Sequence, residues 1–128
     1  MSGEQPVMGT LGWFDLTVAD APGVRDFYQA VVGWTASGVD MSEYEDFTMS
    51  AADGKAVAGV CHARGSNEGM PAQWLAYVHV ANLDASLSEV VARGGEVLRP
   101  ARSAGGMGRF AVIRDPAGAA LALFEPAS

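Results

Sequence analysis

The start of the chain alternates between apolar and mixed positions and then changes to a helical period. The apolar positions of the alternating stretch are Phe14, Leu16 and Val18, and the mixed positions are Trp13, Asp15 and Thr17. A period of two predicts a strand whose two faces meet different surroundings. From Pro22 the apolar residues fall at helical spacing, at Val24, Phe27, Tyr28 and Val31. Asp20 suits the cap of this predicted helix and Gly33 its end.

The next stretch predicts a hairpin and then a connection. Residues 47–63, FTMSAADGKAVAGVCHA, give two short apolar runs around a turn at Asp53-Gly54. Residues 64–73, RGSNEGMPAQ, are polar and contain Gly and Pro, which is typical of a linker. Three acidic residues before the hairpin are expected to form a solvated edge, and His62 is expected on the surface. The acidic residues are Glu43, Glu45 and Asp46.

The same order of patterns recurs in the second half of the chain. Residues 74–97, WLAYVHVANLDASLSEVVARGGEV, alternate and then become helical, and residues 109–126, RFAVIRDPAGAALALFEP, again predict a strand, a turn and a strand. A shift of roughly 62 to 64 residues superposes the two halves, which is the mark of an internal repeat. We therefore predict an α+β fold of two βαβββ modules in one chain, forming curved mixed sheets around a cavity with the helices outside.

The repeat also predicts a division of the chain and a core. We expect a tail at residues 1–8, a first module at 9–63, a linker at 64–73 and a second module at 74–128, together one compact domain. The predicted helix-on-sheet core of the first module is Phe14, Leu16, Val18, Phe27 and Val31. Its counterparts in the second module are Ala76, Val78, Val80, Leu87 and Val91.

Composition narrows the partners of such a domain. The chain has 128 residues, a net charge of −7, one lysine and seven scattered arginines. Without a basic stripe, neither nucleic acid nor an anionic membrane surface is an expected partner. No apolar run approaches the roughly 20 residues that cross a bilayer, and the start lacks a signal-peptide pattern, so a cytoplasmic location is expected. The single cysteine, Cys61, is interpreted as buried filler.

Three stretches together resemble the vicinal oxygen chelate superfamily, which includes glyoxalase I, bleomycin resistance proteins and extradiol dioxygenases. They are DLTVADAPGVRDFYQAVVGW, WLAYVHVANLDASLSEVVARGGEVLRP and GRFAVIRDPAGAALALFEP. The likeness covers nearly the whole chain and implies the paired-module fold. Related proteins often form dimers, so the resemblance also implies a homodimer.

The resemblance implies four positions at which metalloenzymes of this superfamily hold a divalent ion. In this sequence they fall on Trp13, Ala58, Leu75 and Ala122. None of these side chains donates an electron pair to such a cation. We therefore expect no metal and no cofactor.

The remaining side chains of the predicted cavity suggest a small-molecule site. The expected ligand-binding residues are Trp13, Thr17, Ala58, Leu75, Met107, Ala122 and Phe124, and the candidate acid–base residues are Asp15, Tyr77 and His79. The alanines are expected to leave space beside the aromatic rings. A buried carboxylate at Asp15 needs a partner, for which Arg109 and the hydroxyls of Tyr77 and Thr17 are candidates. With Asp15 as the inward acid, the expected ligand is uncharged or cationic.

Two functions stay open at this point. The first is a metal-independent protein that binds a small apolar or aromatic metabolite, such as an antibiotic or a natural-product intermediate. The alternative is a metal-independent isomerase, cyclase or hydrolase that uses Asp15 with Tyr77 or His79 as acid and base. A metal-dependent lyase or dioxygenase is disfavoured by the four positions without ligands.

Overall fold

The computed structural model describes residues 6–128, which hold eight strands and two α-helices. In chain order they are β1 (Leu11–Val18), α1 (Ala21–Val32), β2 (Thr35–Asp40), β3 (Glu45–Ser50), β4 (Ala56–His62), β5 (Trp74–His79), α2 (Leu83–Ala92), β6 (Glu96–Ser103), β7 (Gly108–Arg114) and β8 (Ala120–Pro126). The segment between β4 and β5 contains one 3₁₀ turn, Gly65–Asn67. The predicted α+β class and the two βαβββ patterns are confirmed.

The described chain divides into two compact units, here called the first and second modules. The first module is Trp13–Trp74, and the second joins residues 6–12 to Leu75–Ser128. Residues 9–10 join the second module by backbone hydrogen bonds, because Gly9 N donates to His79 O at 2.7 Å and His79 N donates to Thr10 O at 3.0 Å. Residues 1–5 of the predicted tail lie outside the described residues.

The first module is a four-stranded sheet with one helix on its face. Its strand order is β2-β3-β4-β1, with β1 parallel to β4 and the other neighbours antiparallel. Helix α1 provides the crossover that a parallel pair requires. The Asp20 carboxylate accepts from Gly23 N at 3.1 Å at its start, and Gly33 ends it in the left-handed conformation. The buried core under the helix is Ala21, Phe47, Met49, Ala58 and Val60.

Helix α1 packs through a different stripe from the predicted one. Val24 and Tyr28 contact the core, whereas Phe27 and Val31 are 56% and 62% exposed. Phe14 of β1 is also exposed, so the prediction that Phe14, Phe27 and Val31 are core residues is wrong. Successive helix residues turn by about 100°, so Phe27 lies roughly a quarter turn from the stripe that Val24 and Tyr28 share with Ala21. The helical period of the sequence is compatible with either stripe facing the sheet, and packing against the sheet determines which stripe is buried.

The second module repeats this arrangement with strand order β5-β8-β7-β6, in which β5 is parallel to β8. Helix α2 is capped by Asn82, whose side chain accepts from Ala85 N at 3.0 Å. Its core is Leu83, Ala111, Ile113 and Leu123, with Val78, Val80, Leu87 and Val90 packed against it. The predictions for Val78, Val80 and Leu87 are confirmed. Val91 is 64% exposed, and its neighbour Val90 takes the predicted core position.

Within residues 6–128, neither helix is long and apolar enough to cross a membrane.

Candidate functional site

The second module carries a group of aromatic residues on the sheet face opposite α2. In β5 and β8, Tyr77 pairs with Ala122, Val78 with Leu123, and His79 with Phe124. Val78 and Leu123 pack under the helix, so the residues flanking them in each strand face the other way. Phe110 of β7 pairs with Phe124 and lies on the same side. We call Tyr77, His79, Phe110, Ala122 and Phe124 the aromatic face.

The rings of the aromatic face contact each other. The ring centroids of Tyr77 and Phe110 are 6.1 Å apart, and those of His79 and Phe124 are 5.9 Å apart in an edge-on arrangement. Tyr77 and Phe110 stand on strands separated by β8, and Ala122 lies between them. Its small side chain allows the two rings to approach across the strand. Ala122 has no exposed surface, so it does not leave the open space that the sequence suggested.

Two arginines of β6 also reach this face, and neither was among the predicted site residues. Arg99 pairs with Val112, and Arg102 pairs with Phe110, so both follow the aromatic side of β7. The guanidinium carbon of Arg102 lies 4.7 Å from the centre of the Phe110 ring, a cation–π contact. Strand β6 has two register irregularities, which interrupt the period of two and hide the pattern in the sequence LRPARS. The place of Phe110 on this face could have been predicted from the sequence, because Phe110 directly precedes the core residue Ala111 and neighbouring strand residues face opposite sides.

His79 stands at the edge of the aromatic face, against residues 9–12, which lead into and begin β1. Its Nδ1 is buried and has no hydrogen-bond partner among the described residues. Its imidazole occupies the space that a side chain at Gly12 would fill. Glycine at position 12 is therefore what allows the ring to pack there.

The first module places Trp13 and Asp15 side by side on its face opposite α1. The indole Nε1 of Trp13 donates a hydrogen bond to Asp15 Oδ1 at 2.6 Å. Asp15 pairs with Gly59 of β4, and its carboxylate lies against that glycine, where any side chain would overlap it. The indole N–H is thus one partner of the carboxylate. Arg109, one of the predicted partners, instead lies 3.3 Å from Glu125 and 3.4 Å from Asp84 in the second module.

The prediction that Ala58 shares this face with Asp15 is wrong. Asp15 pairs with Gly59 and Thr17 pairs with Cys61, whereas Ala58 is packed in the helix-side core with Val60. A β-bulge explains the change, because the pairing of β3 with β4 shifts by one residue between Met49 and Ser50. The extra residue moves everything after it to the opposite face. The position implied by the resemblance therefore falls on Gly59 rather than Ala58.

The other predicted ligand-binding residues differ in accessibility. Thr17 and Leu75 are buried, whereas Trp13 and Phe124 are half-buried. Met107 is 69% exposed in the connection between β6 and β7, where its carbonyl accepts from Ala127 N at 2.9 Å.

The residues at the implied ligand positions do not fit a divalent metal. With the register corrected, these positions hold Trp13, Gly59, Leu75 and Ala122, and none has a ligand atom in its side chain. Among residues 6–128, no three His, Cys, Asp or Glu side chains lie close enough together to hold such an ion.

Asp46 and His62 form a second polar group in the first module, and this group is mostly buried although a solvated acidic edge was expected there. Asp46 is only 7% exposed, and its Oδ1 accepts from His62 N at 2.9 Å and lies 3.2 Å from His62 Nδ1. The expectations that Asp46 is solvated and that His62 lies on the surface are therefore wrong. Burial, reinforced by the charges of Asp15 and Asp46, raises the pKa of the Cys61 thiol far above its ordinary value. Cys61 thus stays protonated and is a poor nucleophile.

Comparison with known proteins identifies relatives over most of the chain. Residues 10–123 match the family described as the Glyoxalase/Bleomycin resistance protein/Dioxygenase superfamily. DnrV of Streptomyces peucetius, named as an anthracycline biosynthesis protein, is 37% identical over 129 residues, covering 91% of this chain and 47% of that protein. CFP32 of Mycobacterium tuberculosis, which carries a provisional glyoxylase name, is 36% identical over 122 residues, covering 91% and 46%. The chain thus spans about half the length of these relatives.

Solved structures share the fold at low sequence identity. Methylmalonyl-CoA epimerase of Streptomyces coelicolor aligns with a TM-score of 0.55 at 15% identity, covering 95% of this chain and all of that one. The epimerase of Mycobacterium tuberculosis aligns with a TM-score of 0.55 at 19% identity, covering 98% and 95%. At these identities the likeness concerns the fold alone.

Proposed function

Because this chain belongs to the glyoxalase/bleomycin resistance protein/dioxygenase superfamily, we propose that it binds a small, flat aromatic molecule on the aromatic face of the second module. The observation that carries the proposal is the grouping of Tyr77, Phe110 and Phe124 on one side of the sheet, each partly exposed. Aromatic rings offer a large apolar contact area with preferred stacking geometries, which suits a flat ligand. Their mutual contacts hold this surface in place before the ligand arrives.

The names of the relatives support a fused-ring ligand. DnrV and DauV, from two Streptomyces strains, are both named for anthracycline biosynthesis, and anthracyclines contain fused, flat aromatic rings. We propose that the ligand of this chain is of the same chemical kind, a polycyclic aromatic natural product or an intermediate in its synthesis.

Binding in this proposal is independent of metal. The support is the set of implied ligand positions, where an indole, a glycine, a leucine and an alanine stand in place of His, Gln and Glu. Contact with the ligand then depends on ring stacking and hydrogen bonds, and no metal contributes to affinity.

Titration of the purified protein with a neutral anthraquinone carboxamide tests the proposal. We expect saturable binding that is unchanged by EDTA and is about 5- to 30-fold weaker in Phe110→Ala, because one stacking partner is lost. Phe27→Ala is the matched control, since it makes the same change at an exposed position of the first module. Absence of binding to the parent protein, or equal affinity of Phe110→Ala and the parent, would contradict the proposal.

A second candidate is a metal-independent enzyme that uses Asp15 as its acid or base. The observation that favours it is the Trp13 indole N–H, which holds the Asp15 carboxylate in a defined orientation. The provisional glyoxylase name of CFP32 suggests the substrate to try first, the hemithioacetal of methylglyoxal and glutathione. Thioester formation in EDTA that is lost in Asp15→Asn would establish this function, and absence of turnover with binding intact would favour the first candidate.

A further inference from the structure

The imidazole of His79 holds its two nitrogens in different surroundings at the edge of the aromatic face. Its Nδ1 is the one buried side-chain nitrogen or oxygen among residues 6–128 that has no hydrogen-bond partner. The other ring nitrogen, Nε2, is not buried in this way, and the residue as a whole is half-buried. A buried polar atom without a partner is costly, so something other than a hydrogen bond at Nδ1 fixes the position of this ring.

Backbone hydrogen bonds and packing hold the ring in place. His79 N donates to Thr10 O at 3.0 Å, and His79 O accepts from Gly9 N at 2.7 Å. The imidazole fills the space that a side chain at Gly12 would take, and it lies edge-on to the Phe124 ring at 5.9 Å between centroids. Its orientation is therefore set before a ligand arrives, which lowers the entropy cost of a hydrogen bond to that ligand.

The burial of Nδ1 also decides which nitrogen carries hydrogen. A neutral imidazole has one N–H and one bare nitrogen. In proteins a buried N–H without an acceptor is rarer than a buried acceptor without a donor, so the hydrogen belongs on Nε2. His62 is the opposite case, because its Nδ1 lies 3.2 Å from the Asp46 carboxylate, which can only accept. His79 thus presents a hydrogen-bond donor, Nε2–H, at the edge of the aromatic face.

We propose that the ligand of the aromatic face is a flat aromatic ketone, whose ring system stacks on Phe124 and whose ring carbonyl accepts a hydrogen bond from His79 Nε2. The inference rests on the proposed function, because it names the ligand class of the same site. His79 and Phe124 are paired residues of neighbouring strands, so a ligand on the Phe124 ring has the imidazole at its edge.

The N–H at this edge favours a ketone over a hydrocarbon of the same shape. A carbonyl oxygen in the plane of a ring system directs its lone pairs outward, where an N–H beside the ring can reach them. A hydrocarbon would cover the N–H without replacing its hydrogen bond to water, which costs affinity. A neutral ketone also lies within the uncharged or cationic class of ligand expected from the sequence.

Nitrogen-15 NMR of the two imidazoles tests the assignment of the hydrogen, because it distinguishes a nitrogen that bears hydrogen from one that does not. Under alkaline conditions, where both rings are neutral, we expect hydrogen on Nε2 of His79 and on Nδ1 of His62. Bound anthraquinone-2-carboxamide should shift the Nε2 signal of His79 and leave the signals of His62 in place. Hydrogen on Nδ1 of His79, or no response of its Nε2 to the bound probe, would overturn the inference.

Binding measurements with two probes of similar shape test recognition of the carbonyl. Anthraquinone-2-carboxamide has ring carbonyls, and anthracene-2-carboxamide has none. His79→Phe keeps an aromatic ring and removes both nitrogens, so the ring carbonyl loses its donor. This variant should weaken binding of the anthraquinone about 5-fold or more and change binding of the anthracene by less than about twofold.

Two glycine variants extend the test to the position of the ring. A methyl group at position 12 would overlap the imidazole of His79, so Gly12→Ala should displace the ring and lower the preference for the anthraquinone about 5-fold or more. Gly106→Ala is the matched control. Its added carbon would meet no atom within 4 Å, so it should leave the preference unchanged.

The outcomes separate this inference from the proposed function. If His79→Phe weakens both probes equally, or changes neither affinity, His79 donates no hydrogen bond to the carbonyl. The inference then fails and the proposed function stands. If the parent binds neither probe, the proposed function itself fails. Should His79→Phe not fold, Gly12→Ala decides the question, and an unchanged preference in that variant overturns the inference.

Discussion

At the scale of single residues, two tryptophans use the same indole N–H for different acceptors. Trp13 donates to the Asp15 carboxylate at 2.6 Å, and Trp74 donates to the neutral hydroxyl of Tyr28 at 3.1 Å. A hydrogen bond to a charged group contributes more to stability than one between neutral groups. Variants at the two sites can therefore be compared to measure how much the Trp13–Asp15 hydrogen bond contributes to the free energy of unfolding.

We expect Trp13→Phe to lower the free energy of unfolding by about 1.5–3 kcal/mol, because it leaves the carboxylate without its indole donor. Trp74→Phe is the matched control. It loses the same ring area, and its lost hydrogen bond to a neutral hydroxyl should lower the free energy of unfolding by only about 0.5–1.5 kcal/mol. Urea unfolding measures both. In the background of Asp15→Asn the cost of Trp13→Phe should shrink, and equal costs in the two backgrounds would show that the contact contributes nothing.

Glu125 makes the stability of the second module depend on pH. Its Oε1 accepts from Leu83 N at 2.8 Å at the start of α2 and lies 3.3 Å from Arg109. The Leu83 N–H, and after it Arg109, lower the pKa of Glu125 below its ordinary value of 4.5. A carboxylate with a lowered pKa in the folded state stabilises the fold above its unfolded pKa. This contribution is lost as the pH falls through the folded value.

The parent protein should therefore lose its stability advantage over Glu125→Gln as the pH falls below about 4.5. Urea unfolding of both proteins at about pH 7 and about pH 3 measures the difference. Arg109→Met removes only the second cause, so it should keep the larger part of this pH dependence. A difference between parent and Glu125→Gln that is the same at both pH values would contradict the assignment.

At the scale of elements, helix α1 shows how a rotation of roughly a quarter turn about its axis changes which residues are buried. The stripe that contacts the sheet contains Val24 and Tyr28, and Phe27 stands outside it with an edge-on contact to Tyr28 at 5.1 Å. Removing an exposed ring with this one contact should lower the free energy of unfolding only slightly, whereas removing a buried ring leaves a cavity and lowers it much more.

Phe27→Ala should destabilise the protein by less than about 1 kcal/mol. Phe47→Ala makes the same chemical change in the same module at a side chain only 5% exposed, and it should cost about 3–5 kcal/mol. Denaturant midpoints at constant slope give both values. Comparable losses for the two variants would mean that α1 packs through the stripe containing Phe27.

At the scale of the whole molecule, the implied metal positions lead to a prediction of composition. The side chains at Trp13, Gly59, Leu75 and Ala122 supply no ligand atom. Purified protein should therefore contain far less than one zinc, nickel, manganese or iron per chain by elemental analysis. Its melting temperature should not rise on addition of these ions, since an ion that binds only the folded state would raise it. About one bound ion per chain, with a matching rise in melting temperature, would contradict the prediction.

The fold could be predicted from the sequence, but only part of the candidate site could. The order of elements and the repeat follow from local periodicity, and the shared face of Tyr77, His79, Ala122 and Phe124 follows from alternation in two regular strands. The face of Ala58 was predicted wrongly because a bulge in β4 shifts its pairing with β3 by one residue, and no local feature of the sequence marks this bulge. Arg99 and Arg102 were missed because β6 is irregular at two points.

The sequence by itself determined the two βαβββ patterns, the helix caps and the absence of ligand side chains at the implied metal positions. These depend on neighbours along the chain, where spacing and residue type are sufficient. The tertiary structure alone decided which stripe of α1 is buried, which face Gly59 and Ala58 take, and that two arginines flank the aromatic rings. Each of these depends on pairing or packing between segments distant in sequence. A one-residue change in such pairing moves a side chain to the opposite face of the sheet without altering the local pattern.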